Sequence, residues 1–280
     1  MGWQCRLRHL EPESLLTEPL APRNPRLAEL RRLLDSRAAR REHSCFVVEG
    51  PRLVAEALAA SLPVHEVFVE READWPGATV VRSGTLDRLG DAVTSQGVLA
   101  VVGAPSLALE AATGVGEVPL DKRWNPLEPP LVLVLVEVAD PGNAGTILRS
   151  AEAAGAAAVL FAGHGVDPLS PKVVRAAAGA LFRLPVAVEK DVDVVMGWLR
   201  THQLSSYATV LDDGEDLYRS DLRGRSAVLL GSEAHGLNAT MIAAADRRLT
   251  VPMAATVQSL NVAMAATVVA FEARRQRRFG

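Results

Sequence analysis

Along the chain, apolar and polar positions fall into two regimes. From Asn24 to about Gly103, segments of helical and of strand-like spacing alternate. NPRLAELRRLLDSRAARRE, residues 24–42, predicts one arginine-rich helix and SCFVVEG a short strand. PRLVAEALAAS predicts a helix with Pro51 in its first turn, and VHEVFVE another strand. A second round follows, with TVVR, the helix-like TLDRLGDAV and the strand GVLAVVG, so that residues 21–103 read as a small α/β domain after an N-terminal extension, 1–20. Between Ala104 and Pro130 the periodicity fails and Gly and Pro accumulate, which marks a linker. After Pro130 the strands become continuous apolar runs, LVLVLVEV, AAAVLFAG, SYATVL and SAVLLG, separated by helix-like segments. Runs that are apolar at every position predict a parallel sheet covered on both faces by helices, and residues 131–280 are expected to form this second α/β domain.

Composition narrows the picture modestly. A chain of 280 residues, 49% hydrophobic, can bury two cores. The net charge of −3 provides no global basic field, so a nucleic-acid partner would need a local patch. Basic residues are nearly all Arg, with Lys only at 122, 172 and 190. Cys5 and Cys45 can form no disulfide framework and lack the spacing of a metal site, which favours a reducing cytoplasm and no metal. The opening MGWQCRLRHLEPES carries charges where a secretory signal needs an apolar core, and no apolar run reaches the roughly 20 residues of a membrane span. A soluble cytoplasmic protein is expected.

In parallel α/β sheets ligands gather at the carboxyl ends of the strands, so the loops after the apolar runs are where chemistry is sought. In FAGHGVDPLSPKVVRAAAGA, Gly163 and Gly165 imitate part of a dinucleotide fingerprint, but Pro168 holds the third glycine position. Ser170 and Pro171 read as a helix cap and first helical residue, bringing Lys172 and Arg175 near a helix start as candidate phosphate contacts or simply a solvated face. In LLGSEAHGLN, Gly231 and Gly236 permit close backbone approach, Glu233 sets a carboxylate at a strand end, and Asn238 suits a helix cap. In VPMAATVQSLNVAMAATVVAFEA, Ser259 and Asn261 open an Ala-rich helix, a placement that capping alone would explain. No GxSxG surrounds Ser259, which disfavours a serine hydrolase. In ADPGNAGTILRSAEAAG a turn containing Asn143 leads into a helix with Ile147 and Ala151 inward and Arg149 outward, where it can meet solvent or phosphate.

Together NAGTILRSAEAAG, LLGSEAHGLN and VPMAATVQSLNVAMAA, in this order at the end of the chain, resemble the three motifs of the SpoU (TrmH) family of RNA ribose 2′-O-methyltransferases, within the SPOUT superfamily. DPLSPKVVRAAAGALFRLPV resembles the segment between the first two motifs, and REHSCFVVEGPRLVAEAL is similar to the family's N-terminal substrate-binding domain. The resemblance implies an L30-like α/β domain followed by a trefoil-knotted α/β domain with a mostly parallel sheet, S-adenosylmethionine as methyl donor, and a homodimer with its active site near the subunit interface. Periodicity reveals nothing of the knot. By motif match, Asn143, Arg149, Glu233, Ser259 and Asn261 fall on the family's polar active-site positions, and Gly231, Val251, Met253 and Leu260 on loops around the donor. Ala255 stands where the third motif often has glycine.

These positions imply positioning chemistry. Arg149, whose guanidinium is hard to deprotonate, would fix a substrate phosphate and stabilise charge developing on the ribose 2′ oxygen. Ser259 and Asn261 would orient Arg149 or the ribose, Asn143 would brace the first loop, and Glu233 would organise the knot. Arg26, Arg31, Arg32, Arg37, Arg40 and Arg41 supply a local basic patch for RNA, alongside Lys172 and Arg175. The basic end of the last helix, ARRQRR, is open to RNA contact or to the ordinary preference for positive charge at a helix C-terminus. The expected substrate is structured RNA, 23S rRNA ahead of tRNA. The alternatives are a catalytically silent RNA-binding or ribosome-assembly protein, a small-molecule methyltransferase or a nucleotide-dependent oxidoreductase.

Overall fold

A computed structural model of the protein describes residues 18–71, 75–89, 96–113, 129–254, 256–257 and 259–279. Cys5, Lys122, Ala255, most of the expected extension and most of the expected linker lie outside the described residues. The fold divides into two compact units, residues up to 105 with 169–182, and residues 106–168 with 183 onward.

The first unit contains α1 (Pro25–Asp35), α2 (Arg37–His43), β1 (Cys45–Glu49), α3 (Pro51–Ala59), β2 (Val64–Val69), β3 (Thr79–Val80) and β4 (Val98–Gly103). Its sheet runs β1-β4-β2-β3, with β4 antiparallel to both neighbours. The single helix expected over 24–42 is two helices. Asn24 caps α1 by accepting from the Arg26 amide at 2.9 Å, and Leu27, Leu30, Leu33 and Leu34 bury one face. Ser36 then turns extended, ends α1 and starts α2 by accepting from the Ala39 amide at 3.2 Å. The break is held by Arg40, which turns inward and donates to the carbonyls of Leu33 at 2.6 Å and Leu34 at 3.0 Å, the open acceptors at the end of α1. The described part of the expected helix TLDRLGDAV forms successive turns rather than a helix.

The second unit contains β5 (Leu131–Val136), α4 (Pro141–Ala154), β6 (Ala158–Ala162), β7 (Val186–Glu189), α6 (Val192–Thr201), β8 (Ser205–Thr209), β9 (Glu215–Asp216), β10 (Ser226–Leu230), α7 (Ala239–Ala244), β11 (Arg247–Thr250) and α8 (Val262–Phe279). Its seven strands run β7-β6-β5-β10-β8-β11-β9, every pair parallel. The continuous apolar runs are explained by burial on both sides. Val132, Val134 and Val136 join one core with Val195, Met196 and Leu199 of α6 and Met241 of α7. The alternate Leu131, Leu133 and Leu135 are equally buried on the opposite face, where α8 packs against β5 and α4. Residues 109–113, assigned to the linker by composition, form a 3-10 turn packed on β6 and β7.

Between β6 and β7 the chain leaves this unit. α5 (Pro171–Ala177) buries Val173, Val174 and Ala177 and packs on β1, and Phe182 meets Phe46 with ring centroids 6.3 Å apart. Sequence had kept this segment within 131–280. One register decides where chemistry can occur: β10 pairs with β5 through Leu230↔Leu135, so the loops after the two strands emerge side by side at the point where strand order reverses.

Candidate active site

Four loops meet at the carboxyl ends of β5, β10, β8 and β11. Asp140 caps α4 by accepting from the Asn143 amide at 2.7 Å, with Pro141 in the first turn. This fixes the Asn143 side chain beside the loop after β10. There Gly236 donates from its amide to the Ser232 carbonyl at 2.9 Å, folding the loop back onto Gly231. A β-carbon at 231 would lie 2.1 Å from the Gly236 carbonyl carbon and 2.3 Å from the Leu237 nitrogen, so only glycine permits this return.

Glu233 ties the loops together. Its carboxylate accepts from the Asn143 side-chain amide at 2.8 Å and from the backbone amides of Ala139 at 3.3 Å and Asp140 at 3.4 Å. Partial burial alone would raise its pKa, but these donors and its own backbone amide together hold it below the usual carboxylate value. Asn143 passes the connection on, its side-chain oxygen accepting from the Asn261 side-chain amide at 2.9 Å. The Asn261 oxygen in turn accepts from the amides of Ala263 at 2.9 Å and Met264 at 3.3 Å, capping α8.

Beside this relay lies a cavity of about 510 Å³. Its walls include Gly231, Glu233, Val251, Met253, Ser259 and Leu260, with Val262 and Ala265 from the start of α8. All four positions matched to the donor loops therefore line one cavity, together with Glu233 and Ser259. Arg149 stands on the exposed side of α4 and has no hydrogen-bond or ion-pair partner among the described residues, while Ile147 and Ala151 are buried as the helical spacing requires.

Residues 130–271 match the SpoU rRNA Methylase family. The chain belongs to this family. Residues 24–100 match the MRM3-like substrate binding domain. Among similar proteins is a 23S rRNA (uridine(2479)-2′-O)-methyltransferase of Streptomyces viridochromogenes, 30% identical over 92% of each chain. Another is a 23S rRNA (guanosine(2553)-2′-O)-methyltransferase of Bacillus subtilis, 28% identical over 86% of this chain and 93% of the relative. The crystal structure of the SpoU methyltransferase AviRb from Streptomyces viridochromogenes in complex with AdoMet superposes with a TM-score of 0.80 at 29% identity, covering 92% of this chain and all of that one. The α/β class and parallel sheet expected from the sequence are thus those of solved family members.

Motif reading missed one wall of the cavity. Thr209, the last residue of β8, and Val210 and Leu211 after it line the cavity too. The run SYATVL carried the signal, since its end is one more carboxyl edge of the same sheet.

The basic residues divide. Arg31, Arg32 and Arg41 are exposed on α1 and α2, and Lys172 is exposed on α5. Arg26 instead pairs with Glu66, donates to the Thr79 hydroxyl at 2.9 Å and lies over the Phe68 ring. Arg175 pairs with the buried carboxylate of Glu49 at 3.2 Å. Arg40, only 4% exposed, leaves the patch because its guanidinium is used on backbone carbonyls.

Proposed function

We propose that this chain transfers the methyl group of S-adenosylmethionine to a ribose 2′ oxygen of ribosomal RNA, with 23S rRNA favoured over tRNA. The observation that carries the reading is the Glu233–Asn143–Asn261 relay beside a cavity lined by the donor-loop positions. Similarity to two 23S rRNA methyltransferases supports the RNA class. The two act on different bases, uridine and guanosine, so the target base does not follow from kinship.

The cavity fits the donor. Its volume lies within the roughly 300–1,000 Å³ of small-ligand sites. Its lining, with Leu230, Leu237, Ile242 and Leu249, is mostly apolar, as an adenosine requires. Glu233 contributes an anionic wall suited to a sulfonium cation. When bound, S-adenosylmethionine supplies an electrophilic methyl group, and the protein's share is mainly orientation. In this reading Gly231, Val251, Met253 and Leu260 hold the donor. Glu233, Asn143 and Asn261 fix the three loops, and Ser259 orients the ribose. Arg149, without a partner among the described residues, holds an RNA phosphate and stabilises negative charge developing on the attacking oxygen.

The domain plan that accompanies this reading assigns 21–103 to RNA docking, 104–130 to a connection and 131–280 to methyl transfer. Arg31, Arg32, Arg41 and Lys172 are the docking residues it retains. A homodimer is part of it: Met264 and Phe271, one heptad apart on α8, are 51% and 45% exposed and offer an apolar face. Among the described residues no helix is long and apolar enough to cross a membrane, and the reading locates the protein in the cytoplasm.

The test is to map 2′-O-methylation over ribosomal and transfer RNA in cells lacking the protein, then restore it with wild type, Arg149→Ala or Arg149→Lys. The expected result is loss of one rRNA mark, recovered by wild type alone. A missing tRNA mark, or no missing mark, overturns the substrate class. Full recovery by Arg149→Ala overturns the role of Arg149, and full recovery by Arg149→Lys reduces it to that of a positive charge.

A further inference from the structure

The first unit holds a second cavity, of about 550 Å³, between one side of α1 and the turn over residues 82–89. Among the described residues four arginines line it, Arg23, Arg31, Arg32 and Arg88, against a single carboxylate, Asp35. Two of the four come from outside the arginine-rich segment that sequence singled out.

These arginines are poorly committed to the protein. Arg23 and Arg88 are exposed and have no side-chain hydrogen bond or ion pair among the described residues. Arg32 reaches only Glu42, at 3.4 Å with both side chains largely exposed, a pair of little worth in water. Arg31 donates to the Arg88 carbonyl at 3.0 Å, which fastens α1 to the opposite wall and keeps like charges together. Thr85, 4% exposed and part of the same lining, carries a hydroxyl with no hydrogen-bond partner among the described residues. Arg26 and Arg175 of the same unit are paired, with Glu66 and Glu49. Arg23 and Arg88 in the groove have no such partner among the described residues, and the complement they lack is anionic.

The shape limits the ligand further. The groove follows α1 from Asn24 to Asp35, and among the described residues that line it there is no aromatic ring; their apolar part is Leu27, Leu89, Ala28 and Pro22. A groove without rings offers no platform on which aromatic side chains stack successive bases. Arginines that share one groove can neutralise several phosphates of a backbone.

We propose that this groove seats the sugar–phosphate backbone of the substrate RNA, adding affinity and salt dependence without choosing the base. The proposal rests on the RNA-methyltransferase reading and adds Arg23 and Arg88 to the docking residues. Base choice then belongs to other parts of the protein. Such a division follows the general one in which phosphate contacts position and base contacts specify.

The test uses the full chain, two fluorescein-labelled single-stranded RNAs of unrelated sequence, and anisotropy titrations over a salt series, with methylation of total rRNA measured in parallel. Arg23→Ala/Arg88→Ala should weaken both RNAs by the same factor and make the log–log salt dependence shallower by about 0.7 per arginine. A charge-matched control, Arg52→Ala/Arg71→Ala, should leave both near wild type. An unchanged slope, an equal loss in the control, or a loss confined to one RNA overturns the groove. If wild type shows the groove-dependent binding but methylates nothing, the proposed activity fails and the groove stands. If methylation is normal and the double variant binds RNA like wild type, the groove fails and the activity stands.

Discussion

Glu233→Gln is nearly isosteric, yet the hydrogen-bond polarity of the site forbids it a comfortable place. At one end of the relay the amides of Ala139 and Asp140 point at residue 233 and require an acceptor. At the other, the amides of Ala263 and Met264 point at the Asn261 oxygen, which forces the Asn261 nitrogen toward Asn143 and the Asn143 nitrogen toward residue 233. A glutamine presents one acceptor and one donor to a position whose neighbours are all donors. Flipping Asn143 to suit it would set two amide nitrogens face to face, and flipping Asn261 as well would uncap α8. A hydrogen bond to a charged group is worth about 1.5–3 kcal/mol when desolvated. Glu233 is exposed, so solvent competes and a loss of about 1–2 kcal/mol is the reasonable expectation. That lowers Tm by about 2–4 °C for each kcal/mol in a unit of this size. The pH dependence carries a definite sign. Because the folded state holds the Glu233 carboxyl below its ordinary value, its stabilisation is complete above the unfolded pKa of about 4.3 and is lost as pH falls through the folded value. The stability gap between wild type and Glu233→Gln, measured by urea unfolding, should therefore be constant from neutral pH down to about 5 and close below about 4. A gap that persists undiminished in acid, or that widens, would falsify the charge-and-polarity account.

Three further outcomes follow from single features. Gly231→Ala places its new carbon on the Gly236 backbone, so calorimetric titration should find S-adenosylmethionine binding weakened about 5- to 150-fold, the cost of an overpacked contact being about 1–3 kcal/mol; near-normal affinity would mean that the loop has another closed form. Glu137 ends β5 with φ +54°, and a non-glycine residue in the left-handed region costs about 1–2 kcal/mol, part of which Glu137→Gly should recover; a destabilised variant in urea unfolding would show that the glutamate's packing over Gly163 outweighs the strain. Arg40→Met should cost about 2–3 kcal/mol by uncovering the last carbonyls of α1, whereas Arg41→Met, exposed on the same helix, should change stability by less than about 0.5 kcal/mol; equal effects would refute the capping role.

The fold was legible where burial is symmetrical and hidden where it is not. β5, β6 and β10 are apolar at nearly every position because helices cover both faces, and that pattern survives any local disturbance. β7 and β9 were missed. The first is four residues ending in Glu189 at the edge of the sheet, and the second is two acidic residues, Glu215 and Asp216, held on β11 by backbone pairing and by the ion pair of Glu215 with Arg247 at 3.6 Å, with no apolar side chain to mark them. The break between α1 and α2 was missed because Ser36 is unremarkable in a helical run; what stops the helix is Arg40 reaching back to carbonyls that would otherwise lack a donor. The excursion of residues 169–182 to β1 was illegible for a different reason. Val173, Val174 and Ala177 have the spacing of a buried helical face, and spacing does not say against which sheet that face is buried.

At the site, the bland and the functional explanations of the same residues turn out not to compete. Asn261 sits at the start of α8 and does cap it, as Asn at a helix start commonly does. Capping consumes its oxygen and leaves its nitrogen no direction but toward Asn143. Asp140 likewise caps α4, and in doing so sets Asn143 in the first turn, where one side chain can meet both Asn261 and Glu233. Two helix caps thus fix the polarity of a relay joining three loops whose sequences lie about ninety and thirty residues apart. Sequence could supply the residue types and, through the resemblance, their grouping. It could not supply the orientation of two amides, because that depends on which backbone donors each cap has already taken.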